Sequence, residues 1–262
     1  MKKFFLSLSF VLFALSSTRI LFAETPNNGA ASFKSAFTTQ FKNRFPQSVM
    51  KTLDEHFDEF LADAQALLKK DGDLLILVDK KNLITADYKI GSLVLLEKYP
   101  ELVLSKSGMY ASSVAVDAFI KMFRQARSEG VTIVISSAYR SYDYQKNLFA
   151  RYVRQYGEAE AARFSARAGT SQHQLGTVFD FGSITDDWAQ TKAGKWVAKN
   201  AAKFGFSLSF PKGYETITGY KWECWHFRYI GRDACAMQAQ YFDNIQQYML
   251  EALHFINKNL IQ

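Results

Sequence analysis

An aspartate inside an otherwise apolar run constrains the fold of this chain more than any other feature. Asp180 stands within TVFDF (177–181), a stretch with the length and residue types of a short buried strand. Burying an unpaired carboxylate is costly, and a metal ion or an arginine partner would offset that cost. His173 lies seven residues earlier, and seven residues of extended strand span roughly 23 Å, so both can contact one ion only if the chain turns. Gly176 is the predicted turn.

A second dense stretch, YKWECWHFRYIG (220–231), contains another histidine. Its aromatic residues predict a strand over 220–230. Alternation along a strand would turn Trp225 and Phe227 into the core and leave His226 facing a cleft. A single histidine in such a strand is more often a packed core residue, so His226 gains significance only beside the first stretch.

The two stretches together contain the donor set of a catalytic zinc site. Such a site uses three protein ligands and keeps a fourth position for water, and His173, Asp180 and His226 could supply the three. Glu223 lies three residues before His226, an odd separation that places the two side chains on opposite faces of a regular strand. A bend or bulge near Cys224 would let Glu223 reach the same site and act as a general base.

Helices and strands alternate irregularly along the chain, which predicts an α+β fold with a small, mostly antiparallel sheet packed against several helices. Apolar spacing and glycine stops predict helices at 48–70, 110–129, 142–157, 158–169, 191–206 and 233–260, and further strands at 73–82, 131–140 and 176–182. No internal linker is visible after residue 48, so 48–262 is expected to be a single domain that ends in a long helix. The polar residues 24–47 are interpreted as a linker or an N-terminal extension.

The N-terminus has the pattern of a secretory signal peptide over residues 1–23, with cleavage after Ala23. Two lysines precede an apolar run that is shorter than the ~20 residues of a transmembrane helix, and Arg19 interrupts any longer run. The absence of a cysteine near residue 23 argues against a lipoprotein. We therefore expect an exported protein of the periplasm or cell envelope, tethered to the membrane if the signal is not cleaved.

The net charge and the remaining histidines and cysteines exclude few classes of function. The net charge of +7 stays positive after removal of the signal, but no basic and aromatic array predicts nucleic-acid binding, and no feature indicates an obligate protein partner. Cys224 and Cys235 are compatible with a disulfide or with two buried thiols. His56 and His254 lie outside both dense stretches and are interpreted as structural or surface residues. Five aromatic residues are expected in the core, with a cleft lining as the alternative: Tyr139, Trp188, Trp196, Trp222 and Trp225.

Four ordered segments carry a more specific pattern. SQHQLGTVFD (171–180) fits S-x-H-x-x-G-x-x-x-D and ECWH (223–226) fits E-x-W-H, while SSAYRSYDYQ (136–145) is close to S-G-Y-R-S-x-x-x-Q. Residues 205–231 are similar to the stretch that leads into E-x-W-H. In this order, roughly over residues 74–235, the segments resemble the zinc D-alanyl-D-alanine carboxypeptidases of the VanY type, members of the LAS peptidases with the hedgehog/DD-peptidase fold.

The resemblance implies a function and a set of roles. It implies that His173, Asp180 and His226 bind Zn²⁺ and that Glu223 is the base that assists attack by zinc-bound water. The implied reaction removes the terminal D-Ala from peptidoglycan stem peptides. Arg140 and Gln145 match positions that bind the substrate's terminal carboxylate or the developing oxyanion, and Ser171 matches a further substrate contact.

Departures from the resembled signatures leave these residues in place. The departures are Cys224 for Pro, Ala138 for Gly, Ala168 for Pro, Gln172 for Glu and Phe210 for Tyr. The same site is compatible with a peptidoglycan endopeptidase or a D-Ala-D-Ala dipeptidase. A non-enzymatic zinc-binding module, as in the hedgehog signalling domain, is disfavoured because Glu223 and Arg140 are retained.

Overall fold

The computed structural model describes residues 26–261, which form two compact units. The first unit ends at Gln40 and contains most of the first helix, and the second, Phe41–Gln262, contains the other elements. The predicted signal peptide, residues 1–23, lies outside the described residues. Within the described part of the chain, no helix combines the length and the apolar character needed to cross a membrane.

Ten α-helices and seven short strands lie between residues 26 and 261. The helices are α1 (Pro26–Phe41), α2 (Gln47–Glu55), α3 (Phe57–Asp71), α4 (Ser113–Ser128), α5 (Tyr142–Tyr156), α6 (Glu158–Phe164), α7 (Lys192–Asn200), α8 (Glu215–Thr218), α9 (Arg232–Tyr241) and α10 (Gln246–Ile256). The strands are β1 (Leu93–Leu95), β2 (Val103–Leu104), β3 (Tyr110–Ser112), β4 (Val134–Ser137), β5 (Val178–Phe181), β6 (Phe206–Leu208) and β7 (His226–Tyr229). Helices α4 to α7 and strands β4, β5 and β7 lie within their predicted ranges.

Five strands form one mixed sheet in the order β2–β4–β5–β7–β6. The β2–β4 pair is parallel and the other three pairs are antiparallel. Strands β1 and β3 form a separate antiparallel pair. The predicted α+β class, with a small and mostly antiparallel sheet packed against helices, is confirmed.

An aromatic cluster lies against one face of β5. Phe179 and Phe181 are fully buried and stack on Phe119 of α4, with ring centroids 5.3 and 5.2 Å from that of Phe119. Burying one phenylalanine side chain contributes roughly 1.5–3 kcal/mol to folding. Because side chains alternate along a strand, Asp180 between them points to the opposite face of the sheet.

The prediction of one long C-terminal helix over 233–260 is wrong. The segment forms α9 and α10, which are separated at Asp243 and Asn244, with φ angles of 49° and 61°. Aspartate and asparagine enter this left-handed region more readily than other non-glycine residues. Gln238 holds the break, because its Nε2 donates to Asn244 O at 2.6 Å and its backbone oxygen accepts from Asn244 N at 3.2 Å.

The prediction of a strand over 73–82 is also wrong. In the part of the chain that the structure describes, this segment pairs with no strand. The Nη2 group of Arg228 instead donates to the carbonyl oxygens of Leu74 and Ile76, at 2.7 and 2.9 Å. The turn predicted at the end of the segment is present, since Asp79 Oδ1 accepts from two backbone N–H groups that follow it.

The N-terminal region differs from its prediction in two places. The helix predicted over 48–70 is divided into α2 and α3 at His56, which has a φ of −123° and leaves the helical region. Residues 26–41 of the predicted linker or extension over 24–47 form helix α1.

Candidate metal centre and cleft

The register of the central sheet brings Asp180 and His226 together. The two residues are directly opposed in the antiparallel β5–β7 pair, where Cβ atoms of facing residues lie about 4.5–5.5 Å apart. Asp180 Oδ1 lies 3.2 Å from His226 Nδ1. Ser137 of β4 opposes Asp180 from the other side, so three neighbouring strands meet at this carboxylate.

His173 reaches the same carboxylate from a 3-10 turn over Gln172–Leu175. The chain reverses at Gly176, whose φ of 72° and ψ of 0° are left-handed, so the structure has the turn that the sequence predicted. His173 Nδ1 lies 2.6 Å from the carbonyl oxygen of Ala138 and must donate to it. The lone pair of His173 is therefore on Nε2, which lies 3.2 Å from Asp180 Oδ2.

The residues present fit a metal ion. His173, Asp180 and His226 are buried, and their ligand atoms all lie within 4.8 Å of one another. Asp180 Oδ1 is buried and has no hydrogen-bond partner among the described residues, although His226 Nδ1 is close to it. Two imidazole nitrogens and one carboxylate are a donor set that Zn²⁺ accepts, with a fourth position left for substrate or water.

The electrostatic surroundings keep His173 and Asp180 in forms that can bind a cation. Burial alone would raise the pKa of Asp180, but His173, His226 and Arg140 around it hold that pKa well below its usual range. Burial, aided by Arg140, lowers the pKa of His173 to about 4, so its ring is neutral at physiological pH. Burial alone would lower the pKa of His226, and the nearby carboxylates of Asp180 and Glu223 raise it instead.

Glu223 reaches the centre because the chain turns just before β7. His226 N donates to Glu223 O at 3.1 Å, which closes a turn over 223–226 and forms the bend anticipated near Cys224. Glu223 Oε2 lies 3.4 Å from His226 Nδ1. The carboxyl group is nearly buried, and this burial raises its pKa. A carboxyl group with a raised pKa beside a reaction centre suits proton transfer near neutral pH.

Arg140, at the end of β4, is held by the centre itself. Its Nη2 donates to Asp180 Oδ2 at 2.8 Å, and its Nε and Nη2 lie 3.0 and 2.9 Å from Ser137 Oγ. None of the hydrogen bonds found between residues 26 and 261 uses Nη1. The sequence offered two ways to offset the cost of burying Asp180, an arginine partner or a metal ion. The structure contains both the arginine and the donor set for a metal.

Gln145 and Ser171 line the same cleft. Gln145 of α5 is 1% exposed and donates from Nε2 to Ala166 O at 2.7 Å, while its Oε1 has no partner within the described chain. Ser171 is buried and immediately precedes the turn that carries His173. All seven predicted site residues line a single cleft of about 370 Å³.

Sequence reasoning missed one polar residue of the cleft wall. Tyr220, just before the second dense stretch turns towards Glu223, is buried and lines the cleft, and burial raises its pKa to about 12. An aromatic residue in an apparent strand gave no signal for this position, because a strand residue of the core would have the same pattern.

The other predicted residues have mixed outcomes. Trp188 and Trp196 are buried in the core as predicted, whereas Trp225 is half-buried and lines the cleft. Cys224 and Cys235 are buried free thiols, so the disulfide alternative is wrong. The remaining residues of this group are half-buried or exposed: Tyr139, Trp222, His56 and His254.

Comparisons with known proteins agree on one family. Residues 108–232 match the VanY family, described as D-alanyl-D-alanine carboxypeptidase. YodJ of Bacillus subtilis (strain 168) is 33% identical over 244 residues, which cover 84% of this chain and 88% of that protein.

Solved structures of three related enzymes superimpose on the chain. The LdcB LD-carboxypeptidase has 34% identity and a TM-score of 0.62, and the match covers 68% of this chain and 86% of that one. VanYB in complex with D-alanine-D-alanine, and a VanY D,D-pentapeptidase variant in complex with Zn(II), have 28% identity and a TM-score of 0.57. These matches cover 68% of this chain and 97% and 99% of the two VanY chains.

Proposed function

Because the chain belongs to the VanY family of D-alanyl-D-alanine carboxypeptidases, we propose that it is a zinc-dependent D,D-carboxypeptidase that removes the terminal D-alanine from peptidoglycan stem peptides. One observation carries the proposal. The donor set of His173, Asp180 and His226 lies in one cleft with the buried carboxyl group of Glu223. The related VanY structures with Zn(II) and with D-alanine-D-alanine support the choice of metal and substrate.

The metal would be held by His173, Asp180 and His226. When bound there, Zn²⁺ supplies Lewis-acid chemistry that polarises the substrate carbonyl and the attacking water. The protein's task is to present two imidazole nitrogens and one ionised carboxylate. The surroundings favour the neutral ring of His173 and the ionised form of Asp180, whereas the carboxylates that face His226 raise its pKa.

Glu223 would carry the proton. It accepts a proton from water as the oxygen attacks the peptide carbonyl, and it donates that proton to the nitrogen of the departing D-alanine. The products are the shortened peptide carboxylate and free D-alanine, so atoms and charge balance. Burial of Glu223 raises its pKa, which suits a group that both accepts and returns a proton.

Arg140 and Gln145 would bind different parts of the substrate. Arg140 keeps Nη1 for the terminal carboxylate or the oxyanion while its other nitrogens hold Asp180 and Ser137. Gln145 presents Oε1, an acceptor, and we therefore expect it to contact a peptide N–H of the substrate rather than a carboxylate. Ser171 would add a contact from the edge of the cleft.

A second candidate is removal of D-alanine from a tetrapeptide as an L,D-carboxypeptidase. The observation in its favour is the LdcB structure, which has a higher TM-score and identity than the two VanY structures. The endopeptidase and dipeptidase alternatives use the same residues and differ in the bond that is cut.

The test is mass spectrometry of products from defined stem peptides, with and without a chelator. A pentapeptide, a tetrapeptide, a cross-linked dimer and free D-Ala-D-Ala each report one alternative. Release of D-alanine from the pentapeptide alone supports D,D-carboxypeptidase activity, and cleavage of only another substrate would reassign the bond. No zinc-dependent cleavage of any of them would favour a binding module.

Glu223→Gln tests the proposed base. We expect kcat to fall by about 10²–10⁴-fold, because the amide cannot accept the proton. Zinc content, measured by elemental analysis of the purified protein, should be unchanged. Full turnover in this variant would remove Glu223 from the mechanism, and loss of zinc would indicate a role in metal binding.

We also propose export to the periplasm or cell envelope, on the basis of the signal-peptide pattern at 1–23. N-terminal sequencing of the protein recovered from the cell envelope should begin at Glu24. Recovery of the full-length chain in the membrane fraction would indicate an uncleaved anchor.

A further inference from the structure

One face of helix α5 forms a long side of the cleft. Four of its residues line the cleft, at spacings of three, four and four that place side chains on the same face of a helix: Gln145, Leu148, Tyr152 and Tyr156. An α-helix rises about 1.5 Å per residue, so Tyr156 lies roughly 16 Å along α5 from Gln145. The face changes along this length from the buried amide of Gln145 to the aromatic rings of two tyrosines.

The far end of this face belongs to an aromatic cluster of Tyr152, Tyr156 and Phe164. Phe164, from α6, lies edge-on to both tyrosines, with its ring centroid 5.2 Å from that of Tyr152 and 5.4 Å from that of Tyr156. The guanidinium of Arg151 lies over the ring of Tyr152, 5.5 Å from its centroid. Tyr152 and Phe164 are half-buried, whereas Tyr156 is 50% exposed. Tyr156 therefore presents an open ring that its neighbours hold in place.

The aromatic cluster suits a neutral ligand with an apolar face and polar edges. Among the described residues that line the cleft, every carboxyl, guanidinium and imidazole group belongs to the metal centre or to Arg140 beside it. A tyrosine that is already held in place loses little side-chain entropy on binding, and it combines an apolar ring with a hydroxyl that donates and accepts. A sugar ring matches both properties, because it has C–H groups on its face and hydroxyls at its edge.

The distance from Gln145 to the aromatic cluster matches the length of the substrate in the proposed function. Extended peptide spans about 3.3 Å per residue, so about five residues cover roughly 16 Å. With the cut bond at the metal centre and Gln145 on a peptide N–H beside it, the N-terminal end of the stem peptide reaches Tyr156. In peptidoglycan, that end is joined to an amino sugar of the glycan strand. The aromatic cluster thus lies where the saccharide begins.

We propose that the aromatic cluster is a saccharide subsite, in which Tyr156 stacks against the amino sugar that carries the stem peptide. The proposal rests on the proposed function, which supplies the peptide and its direction in the cleft. It makes Tyr156 a specificity-determining residue, because a peptide released from glycan cannot make this contact. The protein then acts preferentially on stem peptides that are still attached to glycan.

The test compares kcat/KM for a disaccharide-linked pentapeptide with kcat/KM for the same peptide without the sugars. We expect the wild type to prefer the linked substrate by about 3–10-fold, the range of one well-placed aromatic contact. Tyr156→Ala should abolish this preference through a higher KM for the linked substrate alone, because a contact remote from the cut bond is the same in the ground and transition states. Tyr156→Phe keeps the ring and should keep the preference.

Tyr144→Ala is the matched control. Tyr144 is a tyrosine of the same helix, is 50% exposed like Tyr156, and does not line the cleft. Its replacement should leave the preference for the linked substrate unchanged. An equal loss of preference in Tyr144→Ala and Tyr156→Ala would indicate a general effect on α5 and would contradict the proposal.

Saturation-transfer NMR gives a second readout that needs no variant of Tyr156. The probe is the disaccharide-linked pentapeptide, added to the Glu223→Gln variant so that turnover is slow. Irradiation of the aromatic protons of the protein should transfer magnetisation to the C–H protons of the sugar. If Tyr156→Ala does not fold, the absence of this transfer would still overturn the proposal.

Two kinetic results would also overturn it. One is an equal kcat/KM of the wild type for the linked and the free peptide. The other is an equal loss for both substrates in Tyr156→Ala, which would place Tyr156 against the peptide itself. The comparison uses whichever stem peptide the protein cuts, so cleavage of only a tetrapeptide would refute the proposed bond and leave the subsite standing. If no stem peptide is cut, the proposed function fails, and transfer to the sugar decides the subsite separately.

Discussion

The end of strand β5 leaves no room for a side chain at Gly182. A Cβ atom built there would lie 1.9 Å from Nε1 and 2.2 Å from Cδ1 of Trp188, which is buried in the core. The backbone cannot retreat easily, because Gly182 N donates to Val134 O at 2.8 Å and its carbonyl oxygen accepts from Ser136 Oγ. In Gly182→Ala, the indole ring must therefore leave its position.

Two costs combine in this substitution. Gly182 has a φ of +65°, and the left-handed conformation costs an L-residue roughly 1–2 kcal/mol. Overpacking of a core typically costs a further 1–3 kcal/mol. We expect the free energy of unfolding to fall by about 2–5 kcal/mol. Zinc affinity should fall as well, because β5 carries Asp180 two residues before the altered position.

Equilibrium unfolding in urea, followed by tryptophan fluorescence, measures the loss. Gly213→Ala is the control for backbone strain, since Gly213 has a φ of +87° but no atom within 4 Å of the added Cβ. It should lose only about 1–2 kcal/mol. A Gly182→Ala variant no less stable than Gly213→Ala would refute the steric reasoning about Trp188.

Three further predictions concern the centre and the thiols. Arg140→Met should lower the stability of the metal-free protein by about 3–5 kcal/mol, because buried Asp180 loses its partner. The loss should be smaller with zinc bound. Equal losses in unfolding measured with and without zinc would contradict this. His173 should titrate with a pKa of about 4 by NMR in the metal-free protein. Because this pKa lies below the unfolded value of about 6.5, the contribution of the neutral ring to stability is present above pH 6.5 and is lost as the pH falls towards 4. A titration near 6.5 would exclude that contribution. Cys224 and Cys235 should resist a thiol reagent in the folded protein and both react after unfolding without reductant, and fewer than two reactive thiols would indicate a disulfide.

The arrangement around Asp180 could be predicted because chemistry and periodicity agree there. Alternation between Phe179 and Phe181 places one carboxylate on the face opposite an aromatic core, and such a carboxylate needs a cation. The distance to His173 required a turn, and glycine was the residue suited to it. For Glu223, the odd separation from His226 was informative because it required a bend in the chain if both side chains were to reach one site.

Other features depended on contacts that no local pattern contains. Asp243 and Asn244 interrupt an apolar periodicity that continues on both sides, and the bonds from Gln238 that hold the break exist only in the folded chain. The run at 73–82 is as apolar as a strand, but a strand also needs a neighbour with free backbone groups. Arg228 takes that place, and its position follows from the β5–β7 register.

The opposition of Asp180 to His226 has a kinetic consequence. Strands β5 and β7 are separated in the chain by α7, β6 and α8, so their pairing closes a long loop, and such contacts are among the slower steps of folding. A metal ion can be held by both side chains only after that step. Interactions absent from the folding transition state slow unfolding and leave the folding rate almost unchanged. Bound metal would thus set how long the folded molecule persists, while the rate at which new chains fold would depend on the sheet alone.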